Sequence, residues 1–445
     1  MSSLLSTQFN ACAFRLRSIS KTALLLSFIV GTHAALAAPV ALTLGQAQQQ
    51  AVARSRQLMA QDHASAASRE MAVAAGQLPD PILKVGVDNL PVSGPDRLSL
   101  GNDFMTMRRV GISQEFTRAD KRHWRSARLE READKASAQK DVTLASIQRD
   151  TAIAWLDLYY TEQMAAVVSS QTALSHQEIE AAEAAYRGGR GSQADILAAR
   201  SALLALDDRR SEIGRRLLVA RTMLARWTGA SGEVALAGAP NIDKIRLDPA
   251  TLDTDLAHHP QIAVMNRQED IAQAEANLAQ ANRRADWSVE VAFQQRGAAY
   301  SNMVSVGISV PLQWDRKNRQ DRELASKLAM VEQTKAERDE MLRDHVAEAR
   351  VMIVEWQNGR ERVARYVREW IPLADERSQA MLAAYRGGKS TLAEVLAARR
   401  NETDVRMQAL QLQMETARLW AQLNFLFPEN GIAQHSAMTS NQESK

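Results

Sequence analysis

The chain has 445 residues, enough for two or three ordinary domains, but glycine, proline and aromatic residues are sparse, so the composition favours long helices over compact cores. Lys and Arg total 55 against 52 Asp and Glu, and three of the basic residues precede an N-terminal apolar run. The rest of the chain is therefore neutral, which argues against a nucleic-acid partner.

The first segment reads as a secretory signal peptide over residues 1–37. Three basic residues precede an apolar run at 23–30, and Ala35-Leu36-Ala37 follows as a small-x-small cleavage signal. The alternative, an uncleaved N-terminal anchor, is disfavoured because the run is too short to span a membrane comfortably. Cys12, the only cysteine, lies before the run, so we expect neither a disulfide nor a thiolate metal site in the mature chain.

The mature chain contains an internal duplication. Residues 186–200 align without a gap on residues 385–399, and nine of the fifteen positions are identical. In register with this pair, Val110-Gly111-Ile112-Ser113 recurs as Val306-Gly307-Ile308-Ser309. A duplicated chain must bury the same kind of face twice, which favours an elongated, repeating architecture.

Each repeat is predicted to contain a helix, a β-hairpin, a long helix, a Gly-Gly turn and a returning helix. The predicted divisions are a first repeat at 38–229, an equatorial linker at 230–250, a second repeat at 251–428 and a disordered tail at 429–445.

Four segments alternate apolar and polar residues, as strands with two unlike faces do. They lie at 82–90, 104–116, 287–296 and 302–313, which predicts the hairpins 82–116 and 287–313. In one interpretation the hairpins cap a soluble helical rod. In the other the apolar side chains face lipid, as in an outer-membrane barrel. The residues assigned to this lipid-facing side are Trp287, Val289, Val291, Val304, Val306 and Ile308.

Four strands cannot close a barrel, because an open edge in lipid leaves backbone groups unpaired. If the strands span a membrane, several copies must share one barrel, with eight strands for two copies or twelve for three. The residues alone leave this number open.

The helices are predicted to be very long. Neither proline nor glycine interrupts the chain from about Arg118 to Tyr186, and apolar residues step at three and four residues, as in a coiled-coil seam. The second long helix has the same spacing and one interruption, Pro372, where we expect a kink or a short break.

The turns that join the long helices carry most of the candidate functional residues. Gly188, Gly189, Gly387 and Gly388 supply a permissive backbone, with Arg190 and Lys389 beside them. Ser192 and Ser390-Thr391 are predicted N-caps, and Asp195 and Glu394 lie in the first helical turns, where they complement the helix dipole. Two interpretations of these residues remain open. In one they only stabilise the helical hairpin, and in the other they also form a docking surface and a pore constriction.

Motifs for catalysis and for metal binding are missing from the sequence. It has no Walker loop, no G-x-S-x-G and no H-E-x-x-H, so we expect neither an enzyme nor a cofactor. His258-His259 is the only histidine pair, and we assign it a solvated helix start rather than metal ligation. The 16 methionines recur at core spacing, which favours packing over a soft-metal site.

The order of these elements resembles the TolC-like outer-membrane efflux proteins over essentially the whole mature chain. The resemblance rests on the two tip motifs, the paired Val-Gly-Ile-Ser strands and Leu78-Pro79-Asp80-Pro81 before the first strand. The single barrel-tip glycines, the position of Pro372 and the short linker 230–250 resemble the cation-efflux branch of the CzcC type. Unlike many relatives, this chain has no lipidated N-terminal cysteine, and it has no cluster of metal ligands.

The resemblance implies a mainly α-helical protein with a small β part, forming a homotrimer. Its long antiparallel coiled-coil helices would build an α-barrel tunnel into the periplasm, and four strands per chain would contribute to a twelve-stranded transmembrane β-barrel in the outer-membrane lipid. It implies a passive conduit that docks on a periplasmic adaptor and an inner-membrane pump, with heavy-metal cations as the cargo of the cation-efflux branch. It also implies that Asp195 links to Tyr385 of the neighbouring repeat as a latch, and that Glu394 rings the entrance.

Two other classes compete with this interpretation. A soluble periplasmic adaptor or coiled-coil structural protein would also have helical hairpins, but an adaptor usually has one hairpin and a lipoyl-like β-domain. A secreted enzyme would need a nucleophile–base constellation that the sequence lacks.

Overall fold

The computed structural model describes residues 41–429 except 231 and 233. The predicted signal peptide 1–37, and the predicted tail 429–445 apart from Glu429, lie outside the described residues. Helices dominate the described part, and each repeat has two long ones. In chain order the elements are α1 (Leu44–Arg54), α2 (Arg56–Ala75), β1 (Ile82–Asp88), β2 (Met107–Phe116), α3 (Ala119–Arg187), α4 (Gln193–Thr228), α5 (Leu252–Leu256), α6 (Pro260–Asn282), β3 (Trp287–Gln295), β4 (Met303–Ser309), α7 (Gln320–Arg365), α8 (Ile371–Arg386) and α9 (Leu392–Asn424).

The longest helix, α3, runs without interruption for 69 residues, which at 1.5 Å per residue is about 100 Å. It packs against α2, α4, α6 and α9, and α9 packs in turn against α7 and α8. The predicted seam is confirmed, since Ile147, Thr151 and Leu158 of α3 are all buried. The same spacing on α7 buries Val346 and Ile353.

The predicted interruption near Pro372 is confirmed, and it takes the form of one π-helical turn, Tyr366–Trp370, between α7 and α8. Pro372 lies in the first turn of α8. A proline inside a helix has no N–H to donate and its ring collides with the carbonyl four residues earlier, so the backbone must widen or kink before it. The first repeat has no proline at this place, and α3 stays regular.

Three tryptophans fix the linker and the segment around Leu42 to the helices. The indole Nε1 of Trp155 donates to the Leu42 carbonyl at 3.0 Å, that of Trp356 to the Ile242 carbonyl at 3.2 Å, and that of Trp420 to the Lys244 carbonyl at 2.9 Å. Extended segments have no internal ladder, so their carbonyls need outside donors. These bonds hold the segments against the largest buried cluster, which Trp155 and Trp420 help to form.

The four strands form one antiparallel sheet in the order β1-β2-β3-β4. The alternation predicts two hairpins, and the structure joins them by pairing β2 of the first repeat with β3 of the second, with Gly111 opposite Ala292. The strands are shorter than predicted. In particular β4 ends at Ser309 rather than 313, shortly before Pro311, which cannot donate to a ladder.

One prediction about the histidine pair is wrong. His259 does begin a helix, because its Nδ1 accepts from the Gln261 N–H at 3.3 Å, but it is 7% exposed rather than solvated. Its ring lies 4.6 Å from that of His345 and 5.6 Å from that of Phe427, centroid to centroid. Burial, and then the neighbouring His345, lower the pKa of His259 to about 4.

We therefore expect a pH dependence of stability that originates at His259. The unfolded chain takes up a proton near pH 6.5 and the folded chain only near pH 4, so this contribution is complete above pH 6.5 and is lost as the pH falls towards 4. The loss should amount to at most about 3 kcal/mol. His259→Asn keeps a capping acceptor and should flatten the thermal midpoint of the purified protein between pH 6.5 and 4.

His258→Asn is the matched control, because His258 is adjacent and exposed. Its midpoint should follow the wild-type pH profile. A wild-type midpoint that is flat over this interval would contradict the assignment.

Candidate functional site

The first candidate site is the apolar face of the four-stranded sheet. Val291 lies opposite both Val306 and Ile112, and Phe293 lies opposite both Val304 and Val110. Directly opposite residues of antiparallel strands point to the same side, so most apolar side chains of the four strands share one face. We call this the apolar face, and it comprises Leu83, Val85, Val87, Val110, Ile112, Trp287, Val289, Val291, Phe293, Val304, Val306 and Ile308. Ile82 and Met303 are exceptions, because they lie opposite Ser113 and Gln294 on the other face.

Most of the apolar face is open. Val85 is 72% exposed and Val306 and Ile308 are each 69% exposed, while Val289 is half-buried and Trp287 stacks on Phe116 with ring centroids 4.5 Å apart. All six strand residues selected from the sequence alternation lie on this face. Soluble monomers rarely expose so large a contiguous apolar patch. The face therefore requires a cover that the described part of the chain does not provide.

The opposite face of the sheet is polar and carries an ion network. Lys84 Nζ lies 2.6 Å from Glu290 Oε2, Arg109 also pairs with Glu290, and a further Arg109 contact reaches Asp88 at 3.7 Å. These pairs connect β1, β2 and β3 across one face. Sequence alternation identified the polar positions but not their partners, because the β2–β3 pairing that brings Glu290 beside Arg109 links residues far apart in the chain.

The two glycines of the repeated Val-Gly-Ile-Ser strands have different surroundings. A Cβ at Gly111 would lie 2.8 Å from the Cβ of Ala292, whereas a Cβ at Gly307 would meet nothing within 4 Å. Gly111 belongs to an inner strand paired on both sides, and Gly307 to β4, which pairs on one side only. The outer sides of β1 and β4 are thus the two open edges of the sheet in the described chain.

An ion pair fastens the sheet to the long helix. Asp286, just before β3, accepts from Lys121 Nζ at 2.8 Å and from the Arg118 N–H at 2.9 Å. Burial opposes the charge on Asp286, but the two hydrogen bonds and the nearby cations outweigh it and hold the pKa of Asp286 below its usual range. The sequence gives no signal for this pair, because Asp286 lies 165 residues from Lys121 in the chain.

The second candidate site is the pair of Gly-Gly turns. Gly188 and Gly387 end α3 and α8, and Gly189 and Gly388 follow with φ of +69° and +71°, a backbone conformation that side chains with a Cβ rarely adopt. The N-cap predictions are confirmed for Ser192 and, in the second turn, for Thr391 rather than Ser390.

Both tip carboxylates are engaged by their own helices. Asp195 Oδ2 accepts from the N–H and the Oγ of Ser192, each at 2.8 Å. Glu394 Oε2 accepts from the Thr391 N–H and from Ser390 Oγ, also at 2.8 Å. The Thr391 N–H, followed by the two hydroxyls, lowers the pKa of Glu394. Each acid thus completes a capping box.

Among the described residues, the predicted latch residues Asp195 and Tyr385 form no hydrogen bond with each other. Tyr385 is half-buried against a small apolar cluster that contains Ala182 and Val395, and no described residue accepts a hydrogen bond from its hydroxyl. Asp195 bonds to Ser192 instead. Any bond between the two must therefore be made between copies or in a different state of the chain.

The structure contains a buried ion cluster close to the second tip that the sequence analysis did not predict. Glu402, only 2% exposed, lies 3.3 Å from Arg399 and 3.0 Å from Arg406, and Arg399 lies 3.6 Å from Glu178 of α3. Burial raises the pKa of Glu178 despite Arg399. In the other repeat the equivalent residue, Arg200, is exposed and pairs with Glu183. The Arg-x-x-Glu-x-x-x-Arg spacing indicates ion pairs along one helix, but it is equally typical of a solvent-exposed helix face.

The described residues contain neither a helix that could span a membrane nor a cluster of metal ligands. Across 41–429, apart from 231 and 233, no helix is both long and apolar enough to cross a membrane. Over the same residues, no group of three or more His, Cys, Asp or Glu side chains is placed to hold a metal ion.

Solved structures share this architecture. The outer-membrane channel OprN is 18% identical, with a TM-score of 0.72 over 86% of this chain and 90% of its own. VceC, an outer membrane protein from Vibrio cholerae, is 17% identical, with a TM-score of 0.69 over 86% and 95%. CusC, in which conformational changes accompany folding and transmembrane channel formation, is 15% identical, with a TM-score of 0.73 over 87% and 92%.

Neither a protein-family model nor a curated protein matches the sequence. At these identities the likeness establishes the fold, and it agrees with the fold class expected from the sequence. The order of helices, the four-stranded sheet and the paired helical hairpins show that the chain has the TolC-like fold of outer-membrane channel proteins.

Proposed function

We propose that this chain is a subunit of an outer-membrane channel in a tripartite efflux system. It would be a passive conduit from a periplasmic adaptor and an inner-membrane pump to the cell exterior. The observation that carries the proposal is the uncovered apolar face of the sheet, on a fold that outer-membrane channels share. Lipid is the cover that this face requires.

The open edges of the sheet support an assembly of several copies. In lipid the unpaired groups along β1 and β4 would cost several kcal/mol each, so β1 of one copy must pair with β4 of another until a barrel closes. Three copies, as the family resemblance implies, would give twelve strands. The polar face, with Lys84, Arg109 and Glu290, would then line the pore.

The competing proposal is a soluble periplasmic adaptor or coiled-coil protein without a pore. In that protein the hairpins would have to be covered by helices or by another domain. The described helices leave Val85, Val306 and Ile308 about 70% exposed, which favours the channel.

Lysine substitutions on the two faces of β4 test the channel proposal. Val306→Lys would place a charge in lipid, which should cost about 2–4 kcal/mol and reduce the amount of assembled oligomer in outer-membrane fractions. Ser305→Lys is the matched control, because Ser305 lies opposite Ala292 on the polar face and should be tolerated. Equal tolerance of lysine at both positions would remove the lipid-facing assignment.

We further propose that the two tips close the periplasmic end of the channel at rest. The latch would be a hydrogen bond from the Tyr385 hydroxyl to the free oxygen of Asp195 in the neighbouring repeat, with Glu394 ringing the entrance. Two observations support it: the Tyr385 hydroxyl is unused in the described chain, and Asp195 uses only Oδ2 for its cap. An adaptor would then shift the population towards the open state.

Tyr385→Phe is the cleanest test of the latch, because it removes one hydroxyl and leaves the capping box of Asp195 intact. The lost bond is worth about 1.5–3 kcal/mol per copy, so single channels in planar bilayers should open more often and conduct more. Tyr186→Phe, the equivalent change in the first tip, is the control and should behave as wild type. Indistinguishable conductance of all three proteins would refute the latch.

Heavy-metal cations are our proposed cargo, on the basis of the resemblance to the cation-efflux branch. A deletion strain should become sensitive to divalent metal salts. Sensitivity to organic drugs alone would overturn this assignment and leave the channel proposal intact.

A further inference from the structure

Helices α3, α7 and α9 surround a cavity at the level of the linker, and we call it the wall cavity. Its volume is about 910 Å³, within the range of about 300–1,000 Å³ that small-molecule sites commonly have. The linker contributes Ala239, Ile242 and Asp243, and the π-helical turn contributes Val367 and Arg368. All of the lining residues lie outside the sheet, so a ligand at this place does not depend on the proposed barrel.

Packing of the helices and the linker fixes the walls of the cavity. A Cβ at Gly359 would lie 2.5 Å from Thr416 Oγ1, so glycine allows α7 to approach α9 closely. The linker is held where the Trp356 indole donates to the Ile242 carbonyl at 3.2 Å. The Arg360 guanidinium lies over the ring of Trp356, 4.8 Å from its centroid. The cavity is therefore formed before any ligand binds, as most small-molecule sites are.

One side of the wall cavity is apolar and aromatic. Tyr159 and Tyr160 line it, with ring centroids 5.2 Å apart in an edge-to-face arrangement, and Tyr159 stacks on Trp155 at 5.5 Å. Rings held in this way can pack on a flat apolar ligand with little loss of side-chain entropy. The aliphatic side chains of the lining are Ile242, Val363, Ala364, Val367 and Leu410.

Three hydrogen-bond donors of the lining have no hydrogen-bond partner in the part of the chain that the structure describes. Tyr160 is only 6% exposed, and its hydroxyl is unpaired. The Nε of Arg360 is buried and unpaired. Arg368, in the π-helical turn, forms no ion pair with a described acid. Because buried polar groups in folded proteins nearly always have a partner, these donors indicate a ligand that supplies acceptors.

The two acids of the lining do not supply these acceptors. Asp243 pairs with the Nη2 of Arg360 at 3.4 Å, and Glu361 is exposed, two helical turns or about 10 Å before Arg368. Burial, followed by the neighbouring Tyr159, raises the pKa of Tyr160 to about 12, so its hydroxyl remains a donor at neutral pH. The unpaired donors favour a ligand with a negative charge over one with a positive charge.

We propose that the wall cavity binds a small organic acid, with its carboxylate on Arg368 and its apolar body against Tyr159 and Tyr160. A guanidinium can hold a carboxylate through two parallel hydrogen bonds. The Tyr160 hydroxyl and the Arg360 Nε donate to further oxygen atoms of the ligand. Because Arg368 belongs to the π-helical turn, the bound acid contacts the interruption of the second long helix, and such turns often lie at functional sites.

Three probes that share one bicyclic ring and differ in their head group test the proposal: 2-naphthoate, 2-naphthalenemethanol and 2-naphthylmethylamine. Their affinities for the purified full-length protein in detergent are measured by isothermal titration calorimetry. The wild type should bind 2-naphthoate on the order of tenfold more tightly than the alcohol or the amine. Arg368→Gln should remove this preference. Tyr160→Phe keeps the ring and should weaken binding of 2-naphthoate about fivefold.

Arg365→Gln is the matched control, because Arg365 is an exposed arginine one turn before Arg368 and does not line the cavity. It should bind 2-naphthoate as the wild type does. Hydrogen exchange of the amides of residues 366–370 locates the ligand, since 2-naphthoate should slow it in the wild type and in Arg365→Gln but not in Arg368→Gln. Equal affinity of the wild type for the three probes, equal losses in the two arginine variants, or unchanged exchange at 366–370 would overturn the proposal.

Discussion

The pairing of β2 with β3 is the interaction on which the rest of the architecture depends. It joins the hairpins of two repeats into one sheet, aligns the apolar side chains of four strands on one side and places Glu290 beside Arg109 on the other. The close fit of Gly111 against Ala292 sets the spacing of this pair. The proposed barrel of several copies rests on this sheet, which has one apolar face and two free edges. The Asp286–Lys121 ion pair connects the sheet to the long helix α3.

The two repeats are similar in sequence, but equivalent residues have different surroundings because the repeats occupy different places in the fold. Gly111 is packed and Gly307 is open, because one lies in an inner strand and the other in an edge strand. Arg399 is drawn into a buried cluster with Glu402 and Glu178, whereas Arg200 stays at the surface. The second long helix is interrupted by a π-helical turn before Pro372, whereas α3 is continuous. The two hairpins of one chain therefore differ in helix continuity and in charge environment although their tips are near copies.

Most elements of the fold are predictable from residues that are neighbours in the sequence. The Gly-Gly turns, the caps Ser192 and Thr391 and the strand alternation around Val306 are written in neighbouring residues, and the structure has these elements where the sequence placed them. Non-local partners were not predictable: Asp286 meets Lys121, Glu178 meets Arg399 and His259 is buried by His345 and Phe427 through packing of elements far apart in the chain. The alternation of apolar and polar residues also does not predict what covers the apolar face, because a face in lipid and a face packed against a helix have the same apolar residues.

The central claim is that copies of this chain close one barrel by pairing β1 with β4, and engineered disulfides test it most directly. With Gly86→Cys in β1, a second cysteine is placed in turn at Ser305, Gly307 and Ser309 of β4, on the same polar face. Within one chain two strands separate β1 from β4, about 14 Å, too far for a disulfide. The account predicts, for at least one of the three positions, oxidised membrane fractions with a ladder of linked chains that ends at three, whereas each single cysteine alone gives none. Absence of linked chains at all three positions, with the protein in the soluble fraction, would contradict it.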